Sequence, residues 1–91
     1  MIIDVWLYKD QKKKYEILYN DKVKVNGHTL YRIKALQNIN NKVRAGDLGG
    51  YIESEANLTQ IGSAWVHKGA RVYGNTYIFN GVQLYGPVRA V

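Results

Sequence analysis

Between residues 64 and 90 the chain reads AWVHKGARVYGNTYIFNGVQLYGPVRA, and this stretch carries a six-residue repeat. A branched aliphatic residue occupies every sixth position: Val66, Val72, Ile78 and Leu84. A small or β-branched residue stands two positions before each of them, and glycines separate the repeats. A fixed hexapeptide period is typical of a parallel β-helix, in which each repeat supplies one short strand and one corner.

The period predicts a short left-handed parallel β-helix over residues 43–91. Three repeats make one triangular coil, so residues eighteen positions apart lie on top of one another. The aliphatic positions then point inward and the residues beside them point outward. The predicted stacks are Trp65 on Gln83, His67 on Tyr85, and Arg71 on Arg89.

Residues 1–42 are predicted to form a basic β-hairpin region that caps the helix. Asn26-Gly27 lies between two alternating segments, and this dipeptide strongly favours a type I′ hairpin turn. The predicted fold is therefore an all-β single domain, with an N-terminal β-hairpin region followed by the β-helix. Fewer than two coils with an open end are too few for stability alone, so we expect a homo-oligomer, a dimer above all.

The positive charge is confined to the first half of the chain. The net charge is +6, and residues 1–45 hold all of the excess, with ten Lys/Arg against four acidic residues. A basic region attracts nucleic acid, a nucleotide or an acidic protein surface, although it can also serve only to keep a protein soluble. The residues expected to steer a partner are Lys12, Lys13, Lys14, Lys22, Lys24, Arg32, Lys34 and Arg44.

Aromatic residues fill five of the ten positions predicted to point outward. A cluster of exposed rings indicates an interface, and aromatic and arginine side chains are the usual anchors of one. The alternative is that Tyr and Phe only reflect the preference of strands for aromatic residues. The predicted partner-binding residues are Trp65, Tyr73, Tyr77, Phe79, Tyr85 and Arg71.

Several function classes are disfavoured by composition. There is no cysteine, and the two histidines are isolated, so neither a metal site nor a cofactor is expected. No apolar run approaches the roughly 18 residues of a membrane span, and the first residues lack a basic segment typical of a secretory signal, so a cytosolic location is expected. His67 could act as a general base, but no second titratable group is spaced to orient it, which favours a protein that is not an enzyme.

Residues 25–36 read VNGHTLYRIKAL, and residues 45–58 read AGDLGGYIESEANL. Both segments resemble a family of small phage and prophage proteins that carry hexapeptide repeats. The resemblance continues into the hexad segments 64–66 and 70–75. It implies a left-handed β-helix, a phage origin and the host cytosol, and it supplies no catalytic residues. Small phage proteins of this kind often inhibit host defence, including CRISPR systems, so a host protein or ribonucleoprotein is the implied partner.

Three functions follow from these observations, in order of preference. The first is a non-enzymatic, anti-defence binding protein that contacts a host protein through its aromatic and basic surface. The second is a protein that binds nucleic acid or a nucleotide messenger, with Arg32, Lys34 and Arg44 near Tyr31. The last is a remnant related to hexapeptide-repeat acyltransferases.

Overall fold

The computed structural model describes residues 13–91, and these residues are almost entirely strand, turn and loop. Two long strands come first and several very short ones follow. They are β1 (Tyr15–Val25), β2 (His28–Ala35), β3 (Leu48–Ile52), β4 (Trp65–Val66), β5 (Arg71–Val72), β6 (Gln83–Leu84) and β7 (Arg89–Ala90). A 3₁₀ turn over Glu55–Asn57 stands between β3 and β4.

The hairpin predicted at Asn26-Gly27 is confirmed. β1 and β2 pair antiparallel from Val25 opposite His28, and both turn residues have positive φ, 50° at Asn26 and 84° at Gly27. These angles suit a type I′ turn, which matches the twist of the two strands. The pairing shifts register between Leu18 and Lys22, and such a bulge re-aims the side chains beside it.

The strands form two sheets. The larger sheet has the order β1-β2-β3-β5-β7, with antiparallel pairs from β1 to β3 and parallel pairs from β3 to β7. The smaller sheet is the parallel pair β4-β6. One isolated parallel bridge joins Leu58 to Ile78.

The prediction of a left-handed β-helix is wrong. Residues 13–91 form a small mixed sheet and a two-stranded parallel sheet, and they close no solenoid. The repeats contribute strands of only two residues, and a third face is reduced to the single Leu58–Ile78 bridge. The β5 and β7 strands instead extend the sheet that the hairpin begins, because β3 offers them a paired edge.

The eighteen-residue register that the repeat predicts is nevertheless present as strand pairing. Trp65 pairs with Gln83 and Arg71 pairs with Arg89, each eighteen positions along the chain. The repeat aliphatics also share one core: Val66, Val72 and Ile78 are buried in it, with Leu84 partly buried against it. The hexad period therefore predicts which strands are neighbours, but it does not predict whether they close a coil.

The hairpin packs onto the parallel strands through a second, smaller core. Val25 and Leu30 from the hairpin meet Tyr51 of β3 and Tyr73, the residue after β5. All four are buried. This cluster covers the side of the parallel strands that a free solenoid would leave exposed to water.

Glycine is required in β3 because its backbone lies against neighbouring backbone. A Cβ at Gly50 would lie 2.4 Å from the carbonyl oxygen of Ala70, and one at Gly49 would lie 2.6 Å from that of Val66. Both distances are well below contact distance, so any side chain would force β3 away from the parallel strands. The Gly49-Gly50 pair is thus what allows β3 to join the two halves of the sheet.

We expect Gly50→Ala to destabilise the protein by roughly 3 kcal/mol, the upper end of the usual cost of overpacking. Gly46→Ala is the control, because a Cβ at Gly46 would meet no atom within 4 Å. Its φ is +95°, so we expect only a backbone-strain cost of roughly 1 kcal/mol. Urea unfolding of both variants measures the difference. Equal losses would show that close backbone packing at β3 is not the constraint.

Lys14 is a buried cation at the start of β1. Its side chain is only 4% exposed, and its Nζ donates a hydrogen bond of 2.7 Å to the carbonyl oxygen of Ala64. Burial lowers the pKa of Lys14 to about 8, because desolvation penalises the charged form. The neighbouring Tyr15 hydroxyl donates to the carbonyl oxygen of Leu58 at 2.6 Å, and burial, followed by the charge of Glu55, raises the pKa of Tyr15.

Between pH 8 and about 10 the unfolded chain holds a proton on Lys14 that the folded chain has released, so stability should rise with pH. From pH 8 to 9.5 the expected gain is about 2 kcal/mol in the free energy of unfolding. Above pH 10 the raised pKa of Tyr15 reverses the trend, because tyrosine ionises first in the unfolded chain.

Urea midpoints measured across this range for the natural protein and for Lys14→Met test the assignment. Lys14→Met should remove the rise, whereas Lys24→Met, at an exposed position of β1, should keep it. A rise of the same size in both variants would assign it to another group.

Candidate binding surface

Two exposed rings stand side by side on the segment that follows β5. Tyr77 and Phe79 stack with centroids 5.2 Å apart and planes 15° from parallel. They are 49% and 47% exposed, whereas Ile78 between them is buried and bridges to Leu58. Val82 is also exposed, and its N–H donates to the carbonyl oxygen of Phe79 in a turn. We call Tyr77, Phe79 and Val82 the aromatic ridge.

Two of the rings predicted to contact a partner are buried instead. Trp65 is 1% exposed and packs edge-on against Tyr15, with ring centroids 6.2 Å apart. Tyr73 is covered by the hairpin tip, where its ring lies 4.6 Å from that of His28 and its hydroxyl accepts from Asn26 Nδ2 at 2.8 Å. The expected exposure of both rings is wrong, because the hairpin and β3 cover the outside of the parallel strands.

Tyr85 belongs to a second exposed cluster, with His67. The two rings stack at 4.1 Å and 16°, as the register predicts. His67 Nε2 lies 2.7 Å from Gln83 Oε1, while Gln83 Nε2 donates to the carbonyl oxygens of Ser63 and Gly81. Since these donations fix the amide orientation, Gln83 Oε1 is an acceptor and His67 must carry a proton on Nε2.

A cleft of about 460 Å³ opens beside this cluster. Its volume lies in the range of about 300–1,000 Å³ that is common for small-molecule sites. Two lysines and one carboxylate lie among apolar side chains, and the full lining is Lys42, Val43, Asp47, Leu48, Trp65, His67, Lys68 and Tyr85. Asp47 Oδ2 accepts from the backbone N–H of Arg44, so this carboxylate shapes the loop.

Arg32, one of the predicted steering residues, is held inside a network on the sheet. It donates to Asp21 Oδ2 at 3.1 Å, to the carbonyl oxygen of Gly49 at 2.9 Å and to the Tyr51 hydroxyl at 2.9 Å. The Tyr51 hydroxyl donates in turn to Asp21 Oδ1 at 2.7 Å. The hydrogen bonds from Tyr51 and then Arg32 lower the pKa of Asp21, and burial raises the pKa of Tyr51.

The other predicted steering residues differ in exposure. Lys22, Lys24 and Arg44 are exposed, and Lys34 is half-buried. Lys13 is exposed and pairs with Glu55 at 3.3 Å, whereas Lys14 is buried and unable to steer a partner at the surface. Lys12 lies outside the described residues. The structure therefore removes Lys14 from the residues that could steer a partner.

His28 and Glu53 form another pair of titratable groups. His28 Nδ1 lies 2.9 Å from Glu53 Oε2, and Glu53 Oε1 accepts from the backbone N–H of Gly74. These contacts, the Gly74 N–H first, lower the pKa of Glu53 and tie the hairpin tip to the loop after β5. Among residues 13–91 there is no group of three side chains suited to a metal ion. The same part of the chain contains no helix long and apolar enough to cross a bilayer.

Sequence reasoning did not identify Lys42 and Lys68, which reach the cleft from loops, or the link between Arg32 and Tyr51. The loop lysines carry no periodic signal. Arg32 pairs with Tyr51 only because β3 joins the sheet beside β2. Paired residues of β3 and β5 are twenty positions apart, so the eighteen-residue period does not predict this neighbour.

Comparison with known proteins leaves the chain without an assigned family. No protein-family model matches it, and no curated protein matches it. The resemblance to small phage proteins therefore stays a prediction, and the proposed function depends on the surface of residues 13–91.

Proposed function

We propose that this is a non-enzymatic binding protein that contacts a partner protein through the aromatic ridge. The observation that carries the proposal is the stacked, half-exposed pair of Tyr77 and Phe79. Exposed rings held in a fixed geometry lose little conformational freedom on binding, which is why such side chains anchor interfaces.

The composition of the stretch that carries the ridge favours a protein over a nucleic acid. Residues 72–88 contain no Asp, Glu, Lys or Arg, although this stretch is almost a fifth of the chain. Depletion of charge is typical of the centre of a protein interface, whereas a nucleic-acid site needs cations to neutralise phosphates. The ridge therefore suits a weakly charged, apolar protein surface.

The net charge of +6 favours a neutral or acidic partner over a second copy of the chain, because two copies repel each other. A host protein in the cytosol, in an anti-defence role, is the partner that the resemblance to small phage proteins implies. A homodimer built on the ridge is the competing outcome, and a binding measurement distinguishes self-association from contact with a host protein.

The test is a binding measurement with a partner first identified by affinity capture from the host and then purified. We expect Tyr77→Ala with Phe79→Ala to weaken the complex about 30-fold, because interface anchors of this kind contribute about 2 kcal/mol or more. Tyr19→Ala is the matched control: Tyr19 is also exposed and also packs against a second ring, Tyr31, but on β1.

Unchanged affinity in the folded double variant would contradict the proposal. A concentration-dependent dimer in light scattering that the double variant abolishes would instead assign the ridge to self-association.

A further inference from the structure

Four side chains stand in one row across the larger sheet. In strand order they are Arg32 on β2, Tyr51 on β3, Arg71 on β5 and Arg89 on β7, each paired in register with the next. Residues paired in register on neighbouring strands project to the same face of a sheet. We call these four residues the cationic row.

The charges of the row are only partly balanced. Arg32 has Asp21 as a partner, but no carboxylate in the described part of the chain pairs with Arg71 or Arg89. Like charges directly opposite each other on paired strands are destabilising. The Arg71–Arg89 end of the row thus carries two adjacent positive charges without a counter-ion.

Arg71 also carries an unsatisfied donor. Its Nε is buried and has no hydrogen-bond partner among residues 13–91, which is unusual because buried donors are nearly always satisfied. A guanidinium presents its donors in a planar fork that suits two oxygens at once. An oxyanion in contact with both guanidinium groups would separate the two like charges and neutralise them.

A cavity of about 210 Å³ lies at this end of the row. It is lined by both arginines together with Gly69, Pro87 and Val88. The lining has no acidic side chain, and it is separate from the cleft beside His67 and from the aromatic ridge.

From this arrangement we propose that Arg71 and Arg89 bind a phosphomonoester. A phosphomonoester carries a charge of about −1.5 to −2 at pH 7, which matches two guanidinium groups, whereas a carboxylate would leave one unbalanced. This site is distinct from the residues expected to contact nucleic acid, Arg32, Lys34 and Arg44. It is also independent of the protein-binding function proposed for the ridge.

The direct test is NMR titration of the natural protein with inorganic phosphate in phosphate-free, low-salt buffer. Phosphate is expected to shift the Arg71 Nε–Hε resonance in a saturable way, and a nucleoside 5′-monophosphate should do the same. Absence of a saturable shift with both probes would overturn the proposal. The proposal would also be overturned if acetate bound as tightly as phosphate. It would be overturned as well if an oligonucleotide without a terminal phosphate bound as tightly as the nucleoside monophosphate.

Substitutions provide a second readout. Arg89→Gln and Arg71→Gln should each weaken phosphate binding about tenfold or more, because each removes hydrogen bonds to a charged group. Arg44→Gln, at an exposed arginine outside the row, should leave the affinity unchanged. Equal affinity in all three variants would contradict the site.

Thermal unfolding separates binding from a purely structural role. Without phosphate, Arg89→Gln should raise the melting temperature, because it relieves the repulsion between the two arginines. Added phosphate should stabilise the natural protein more than it stabilises Arg89→Gln at the same phosphate concentration. Phosphate stabilisation of equal size in both proteins would count against the proposal.

Discussion

The whole structure depends on the close backbone contact that β3 makes with the parallel strands. β3 is the only strand described that pairs antiparallel on one side and parallel on the other, so it joins the hairpin to the repeat region. That position exists because Gly49 and Gly50 let its backbone approach carbonyl oxygens of the neighbouring segment. Any side chain larger than hydrogen would separate the two halves of the core.

The placement of β3 also decides which surfaces are free. By carrying the hairpin over the parallel strands, it buries Trp65 and Tyr73 and leaves the ring pair of Tyr77 and Phe79 at the surface. The same sheet aligns Arg32, Tyr51, Arg71 and Arg89 in one row. Both proposed binding surfaces are thus consequences of a single junction, although they differ in chemistry: one is apolar and uncharged, the other cationic.

The local features of this fold could be predicted from sequence because their causes are local. Asn26-Gly27 specifies its own turn, and the hexad period specifies that Arg71 lies beside Arg89 and His67 beside Tyr85. The closure of a solenoid could not be predicted in this way. It depends on whether the strands of the repeats pair only with one another or also with the sheet that the hairpin begins. The offset of β3 from β5 is twenty residues rather than eighteen, and no hexad position indicates it. The burial of Trp65 and Tyr73 follows from that long-range pairing, so it could not be predicted from the sequence either.

Because β3 pairs with both halves of the sheet, we expect the hairpin and the parallel strands to unfold as one unit. Native-state amide hydrogen exchange, followed by NMR at increasing urea, tests it most directly. The informative amides are Ala35 of β2, Tyr51 of β3 and Arg71 of β5, which donate to Asp47, Ala70 and Val88. We predict one common opening free energy for all three. An Arg71 amide that exchanges through a much cheaper opening while Ala35 stays protected would contradict the account.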